Sequence, residues 1–220
     1  MKSRVLTLAG PQGPLSAELL LPKAPLALIV IAHGAGAGFR HSNMQGIAQA
    51  FGAQGIGSLR FNFPFMEQGR RRVDRAETSI AAIASAVEAA ARENLPLYLG
   101  GHSFGGRMAS LAVAECDLAV NGLIFCSFPL HQPNKPARSR AEHLPQIRLP
   151  MLFLSGTRDA LAERDLLEGV VAGLGDRAQL HWLESADHSY KILKRQRVEG
   201  PGVFEEMAEV AKAFMARHNP

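Results

Sequence analysis

Gly101-His102-Ser103-Phe104-Gly105 decides how this chain is read. It follows an apolar run, Leu95-Pro96-Leu97-Tyr98-Leu99-Gly100, and precedes a helix-forming stretch from Gly106 to Glu115. Glycines two positions before and after a serine let neighbouring backbone pass close by. A strand that turns sharply into a helix at such a point presents the serine hydroxyl at the top of a sheet, the arrangement called a nucleophile elbow. The pentapeptide alone is a weak signal in a chain with 21 glycines, so its meaning rests on what surrounds it.

Strand-like and helix-like segments alternate on both sides of it. Leu26–Ala32 is almost wholly apolar, as expected of a strand buried on both faces of a parallel sheet. His41–Gln54 predicts a helix, Ile56–Phe61 a second central strand, and Arg75–Arg92 a long alanine-rich helix. Beyond the elbow, strands are expected at Gly122–Cys126, Met151–Ser155 and Gln179–Leu183, with helices at Glu163–Leu174 and Gly202–Arg217. This order predicts an α/β fold with one doubly wound, mostly parallel sheet. Val5–Leu8 and Leu15–Leu21 come first with no helix between them and read as an antiparallel N-terminal edge. The longest unstructured connection, Ser127–Leu149, holds four prolines and is too short for a large cap; it reads either as a wall of a functional site or as a stiff surface excursion.

At 220 residues, 1–220 is expected to form one domain. A hydrophobic fraction of 47% and a charged fraction of 20% suit an ordinary globular protein. No apolar run reaches the roughly 20 residues that span a bilayer, and Gly10-Pro11-Gln12-Gly13-Pro14 interrupts the N-terminus too early for a signal peptide, so a cytoplasmic location is expected. Two cysteines, Cys116 and Cys126, are too few for a disulfide framework or a four-ligand metal site. The formal charge of +4 is spread along the chain, with one run at Arg70-Arg71-Arg72 and Arg75, which reads as a solvated face and not as a nucleic-acid contact.

Open parallel sheets place ligands at the carboxyl ends of their strands. Ser103 follows one strand, Asp159 lies four residues after Met151–Ser155, and His188 lies five after Gln179–Leu183. A serine hydroxyl needs a base to take its proton as it attacks, and a carboxylate behind the base fixes the tautomer. His188 is the expected base and Asp159 the expected acid. Asp159 also suits a cap of the helix near Ala162. Asp187 adjoins the base and Asp165 falls within a helix, so both are poorer candidates.

His33-Gly34-Ala35-Gly36-Ala37-Gly38 leaves the strand Leu26–Ala32 and can turn its N–H groups inward. With the N–H of Phe104, those of Ala35 and Gly36 are the expected oxyanion donors. The same run lacks the spacing of a dinucleotide or Walker loop, so no nucleotide is expected. Phe63 and Phe65, in Arg60-Phe61-Asn62-Phe63-Pro64-Phe65, are candidate walls of an acyl pocket, as are Pro129 and His131. His33 and His102 read as structural supports. Arg107, one turn beyond Ser103, either tethers a loop carboxylate or meets an anionic group, and the tether is the preferred reading.

The motifs His33-Gly34-Ala35-Gly36, Arg60–Phe65, Gly101–Arg107, Pro129-Leu130-His131 with Lys135-Pro136, Leu152–Asp159 and Asp187-His188 together resemble a small cap-less α/β-hydrolase. More narrowly, they resemble the group of predicted hydrolases related to testis-expressed and chromatin-complex α/β-hydrolase-like domains. The resemblance implies the α/β-hydrolase fold and marks Ser103, Asp159 and His188 as a triad. It also implies that an interaction module is possible, since some relatives act that way. The related dienelactone hydrolases use a cysteine where this chain has Ser103. The expected activity is hydrolysis of an ester or thioester of a small acyl-containing substrate, with no cofactor and no metal; a non-catalytic interaction module and a peptidase or amidase are the alternatives. Oligomeric state is not specified by the sequence.

Overall fold

The computed structural model describes residues 1–193 and 200–219. Its strands are β1 (Lys2–Gly10), β2 (Gly13–Leu21), β3 (Ala27–Ala32), β4 (Ile56–Phe61), β5 (Leu97–His102), β6 (Gly122–Cys126), β7 (Met151–Gly156) and β8 (Ala178–Leu183). Its α-helices are α1 (Ser42–Ala53), α2 (Pro64–Glu67), α3 (Ala76–Ala91), α4 (Phe104–Glu115), α5 (Arg164–Leu174) and α6 (Val203–His218). All eight strands join one sheet in the order β1-β2-β4-β3-β5-β6-β7-β8. From β4 to β8 in that order every pairing is parallel, while β2 runs antiparallel to both β1 and β4. The sheet is therefore mostly parallel with antiparallel N-terminal strands, and no large cap is inserted.

Strand periodicity explains why helices cover both faces. Along β3, Leu28, Val30 and Ala32 point into one core, which also holds Ile83 of α3, Met108 of α4 and Leu167 of α5. Ala27, Ile29 and Ile31 point into the other, against Met44 and Phe51 of α1 and Met207 and Phe214 of α6. Both sets are buried because consecutive side chains of a strand face opposite sides.

The chain order places β4 on one side of β3 and β5 on the other. That reversal opens a crevice at the carboxyl ends of β3 and β5, where ligands of doubly wound sheets bind. The two strands pair with Ala32 opposite Gly101, so the turns that follow them start side by side.

Some boundaries differ from expectation for local reasons. The strand before the elbow continues through His102 and the helix starts at Phe104, leaving Ser103 alone between them. The short helix α2 is absent from the sequence reading; Pro64 at its first position and the buried Phe65 set it. The Ser127–Leu149 connection does not line the cavity beside Ser103, and it is a surface excursion only from Gln132 to Ser139, where most residues are exposed. Its Phe128, Leu130, Ala141, Leu144 and Ile147 are buried in the core beside α4 and α5, and two single 3₁₀ turns, Ser139–Ala141 and Leu144–Gln146, shape it.

Gly105 tolerates no side chain: a Cβ there lies 2.3 Å from the Ala32 carbonyl oxygen. Gly173, in the exposed part of α5, has open space around the same atom. Gly105→Ala is expected to destabilise the fold by about 1–3 kcal/mol, and Gly173→Ala to stabilise it by about 0.5–1 kcal/mol. Urea unfolding midpoints of the two variants, moving in opposite directions from wild type, check both.

Candidate active site

Ser103 sits at φ +52° and ψ −118°, a conformation that side chains other than hydrogen rarely adopt. The turn survives because the backbone on either side is wedged. A Cβ at Gly101 would lie 2.4 Å from the Ala32 carbonyl oxygen, much as at Gly105. Strand and helix thus press on the end of β3, and the serine between them is pushed out towards solvent.

His188 lies between Ser103 and Asp159. Its Nδ1 is 2.8 Å and 2.9 Å from the two Asp159 carboxyl oxygens, and its Nε2 is 2.8 Å from Ser103 Oγ. A carboxylate only accepts, so Nδ1 carries the proton, Nε2 offers its lone pair, and the Ser103 hydroxyl donates to it. Asp159 is 5% exposed and also accepts from the Leu161 N–H at 2.8 Å. The capping role weighed for Asp159 is replaced by this tight turn, because α5 begins later, at Arg164, with Glu163 at its N-cap position.

The rival acid Asp187 faces away from the histidine ring's partner. Its Oδ1 accepts from the N–H groups of Ser189 and Lys191, at 2.8 Å and 3.0 Å, and so closes the turn that carries His188. Asp165 stands in the first turn of α5.

A cavity of about 340 Å³ opens beside these groups, lined by Gly34, Ala35, Gly36, His102, Ser103 and His188 together with His41, Met44 and Leu161. Phe104 opens α4, so its N–H has no acceptor within the helix. The residues expected as oxyanion donors, Ala35, Gly36 and Phe104, therefore flank the serine. Sequence reasoning missed His41, Asn43, Met44, Leu161 and Ser189 as lining groups. Leu161 and Ser189 stand a few residues beyond the ends of β7 and β8, whereas His41, Asn43 and Met44 stand at the start of α1, nine or more residues past β3, where no strand-end signal marks them.

Four expected pocket residues lie elsewhere. Phe63 and Phe65 are fully buried and stack at 5.9 Å, with His33 and Phe104 against them edge-on. They support the turn and the elbow from below instead of walling the cavity. Pro129 is buried, and His131 is 2% exposed with its Nδ1 bonded to the Gln132 carbonyl. Neither lines the cavity beside Ser103.

The two supporting histidines are placed by ring hydrogen bonds, His33 through both nitrogens and His102 through one. His33 Nδ1–H donates to the Gly34 carbonyl at 2.7 Å, and its Nε2 accepts from the Phe63 N–H at 3.0 Å. Protonation would turn that acceptor into a second donor facing a donor. His102 Nε2–H donates to the His188 carbonyl at 2.9 Å, and its ring stands between those of His188 and Tyr190. Arg107 pairs with no carboxylate among the described residues, so the expected tether is absent.

Burial lowers the pKa of His33 and of His102 to about 4. Between their ordinary value near 6.5 and about 4, the unfolded chain binds protons that the folded chain refuses. Stability is full above pH 6.5, falls as the pH drops through this window, and levels off below 4 for these groups. His33 alone is expected to account for about 3 kcal/mol of the loss between pH 7 and pH 4. Urea unfolding across that range, compared between wild type and His33→Gln, should show the shallower slope in the variant; equal slopes would contradict the assignment.

Comparison with known proteins agrees with this architecture. The alpha/beta hydrolase domain family matches residues 25–216. A dienelactone hydrolase from Anabaena variabilis superposes with a TM-score of 0.78 at 18% identity, over 99% of this chain and 98% of that one. An α/β serine hydrolase without a lid from Xanthomonas campestris gives 0.75 at 21%, over 99% and 95%. The ferulic acid-bound esterase Est1E from Butyrivibrio proteoclasticus gives 0.74 at 16%, over 97% and 99%. Two Mycobacterium tuberculosis proteins, named provisionally as phosphoribosyl transferases, are 23% identical over 97% of this chain and 46% of their own length. The chain thus spans about half the length of the curated relatives it matches. These structural likenesses, at such low identity, speak for the fold, and the match over residues 25–216 settles its kinship: the chain belongs to the alpha/beta hydrolase domain family, in its cap-less form.

Proposed function

We propose that this chain is a serine hydrolase that cleaves a carboxylic ester or thioester of a small acyl substrate through an acyl-enzyme. The observation that carries the proposal is the position of His188, within 2.8 Å of both the Ser103 hydroxyl and the Asp159 carboxylate. The supporting histidine His33 also bonds through both nitrogens, but to main-chain groups. What suits His188 to take a proton and give it back is a hydroxyl on one nitrogen and a carboxylate on the other.

In this mechanism Ser103 Oγ attacks the carbonyl carbon as its proton passes to His188 Nε2. The carbonyl oxygen becomes an oxyanion that accepts from the N–H of Phe104 and from Ala35 or Gly36. Nε2–H then protonates the departing alkoxide or thiolate, leaving the acyl group on Ser103. Water enters, gives a proton to Nε2 and attacks the acyl carbon; the second tetrahedral oxyanion collapses, and Nε2–H returns the proton to Ser103. Asp159 holds the Nδ1 proton throughout and offsets the charge of the imidazolium. The cycle needs neither metal nor organic cofactor.

The serine identity at 103 favours this chemistry over the cysteine route of dienelactone hydrolases. The intact relay counts against a non-catalytic interaction module, and nothing in the cavity favours an amide. One domain over 1–220 is part of the proposal, as is a cytoplasmic setting, which rests on the free thiols of Cys116 and Cys126. The narrower kinship with the testis-expressed and chromatin-complex group rests on sequence motifs alone.

Steady-state hydrolysis of 4-nitrophenyl acetate and butyrate tests the roles. Ser103→Ala is expected to lower kcat by about 10⁴ or more, and Asp159→Asn by about 10³–10⁴, each with KM little changed. Asp187→Asn should stay within a few-fold of wild type, since an amide oxygen still accepts the two backbone N–H groups. Loss of turnover in Asp187→Asn with near-normal turnover in Asp159→Asn would overturn the assignment of the acid.

A further inference from the structure

Arg107 is a half-buried cation with no counter-charge among the described residues. It stands about 6 Å of helix beyond Ser103, near the same face of α4. Its Nε is buried without an acceptor, and neither it nor Arg140 pairs with a carboxylate among the described residues. The charged groups that act on this corner are cations: Arg140 acts on Arg107, and Arg107 acts on His143. His143 is fixed there by Ser110, whose Oγ is 2.7 Å from Nε2 and donates to the Arg107 carbonyl at 2.8 Å. Arg140 is fixed by its bond to the His131 carbonyl at 3.0 Å. From His131 to Arg148 the chain carries Lys135, Arg138, Arg140 and Arg148 against one carboxylate, Glu142.

Arg60 shows what this chain does when an arginine is structural. It is 3% exposed, bonds Glu18 at 2.5 Å and donates to the Phe39 carbonyl at 3.1 Å. Among the described residues, Arg107 has neither kind of partner. Withdrawing a guanidinium from water and setting a second beside it raises the energy of the fold unless an anion answers both. Arg107 is only half-buried, so such an anion has a route from solvent.

We infer that Arg107 and Arg140 form a binding site for a dianionic oxyanion, a phosphate or phosphomonoester group, where α4 meets the 131–149 segment. Two guanidiniums match two negative charges, and their planar forks suit paired oxygens better than a point charge does. A bound anion pins the 131–149 segment to α4. That segment is joined to the cavity, because the N–H groups of Leu130 and His131 donate to the carbonyl of Leu161, a lining residue, at 2.8 Å and 3.3 Å. Occupancy therefore sets the position of one cavity wall. The site does not depend on the chemistry proposed for Ser103.

Thermal unfolding of the full chain in chloride buffer at constant ionic strength tests the inference, with inorganic phosphate, phenyl phosphate and acetate added separately. Wild type should show a saturable rise in Tm, on the order of 5 °C at a phosphate concentration a hundredfold above Kd. A rise with both phosphates marks a site for the free anion, and a rise with phenyl phosphate alone marks a site for the monoester. Acetate should give little. Arg107→Met and Arg140→Met should each abolish the saturable rise, and Arg107→Met should be no less stable than wild type without phosphate. A non-saturating rise that is the same in wild type and variants would be general salting and would overturn the site, as would no rise. Phosphorus NMR of wild type reads the same binding without a variant: broadening of the inorganic phosphate line, reversed by phenyl phosphate and not by acetate, is expected. Absence of broadening of both the inorganic phosphate and the phenyl phosphate lines, or reversal by acetate, contradicts it.

Discussion

The contact on which the rest of this structure depends is the approach of the elbow to the end of β3. The carbonyl of Ala32 lies so close to Gly101 and Gly105 that a Cβ at either would stand 2.4 Å or 2.3 Å from its oxygen. That approach fixes the distance between two turns from neighbouring strands, the one bearing Ser103 and the one running from His33 to Gly38. It also makes the strained conformation of Ser103 tolerable, since the surrounding backbone leaves the residue no relaxed alternative. Phe61, Phe63, Phe65 and Phe104 fill the space below, so the apolar core supports the polar site directly.

The loop that carries His188 is held by bonds that do not involve its ring. His102 holds the His188 carbonyl, Asn43 Nδ2–H donates to the Ser189 carbonyl at 3.0 Å, and Asp187 closes the turn between them. These bonds fix the main chain of the loop, which leaves the imidazole to be oriented by Asp159. Such a division suits a group that must change its protonation state without moving its anchor. It also explains why His33 and His102 are kept neutral by burial: each has its hydrogen bonds arranged for one tautomer.

Much of this was legible in the sequence, for identifiable reasons. The alternation of short, mainly apolar runs with helix-length segments suggested the mostly parallel sheet, because a strand buried on both faces carries few polar residues; Ser58 and Arg60 of β4 are the exceptions that this pattern does not foresee. The strand-end positions of Ser103, Asp159 and His188 suggested the meeting of three side chains from strands far apart along the chain, Asp159 56 and His188 85 residues beyond the serine. Side-chain direction was not legible. Phe63 and Phe65 follow a strand end as the site residues do, yet they turn into the core, and nothing in their types distinguishes a wall from a floor. Arg107 was read as a tether because a helix arginine usually finds a carboxylate; whether one folds back to meet it depends on the path of a 23-residue connection that has no periodicity to follow. His41 and Leu161 were missed because neither belongs to a recognisable motif.

The most direct test of the central claim is covalent trapping of the nucleophile. Folded protein treated with a fluorophosphonate and examined by intact mass and peptide mapping should gain one adduct, on Ser103. Ser103→Ala should gain none, and Asp159→Asn should react far more slowly than wild type. An adduct on another residue, or none on folded wild-type protein, would contradict the account of Ser103 as a serine activated by His188.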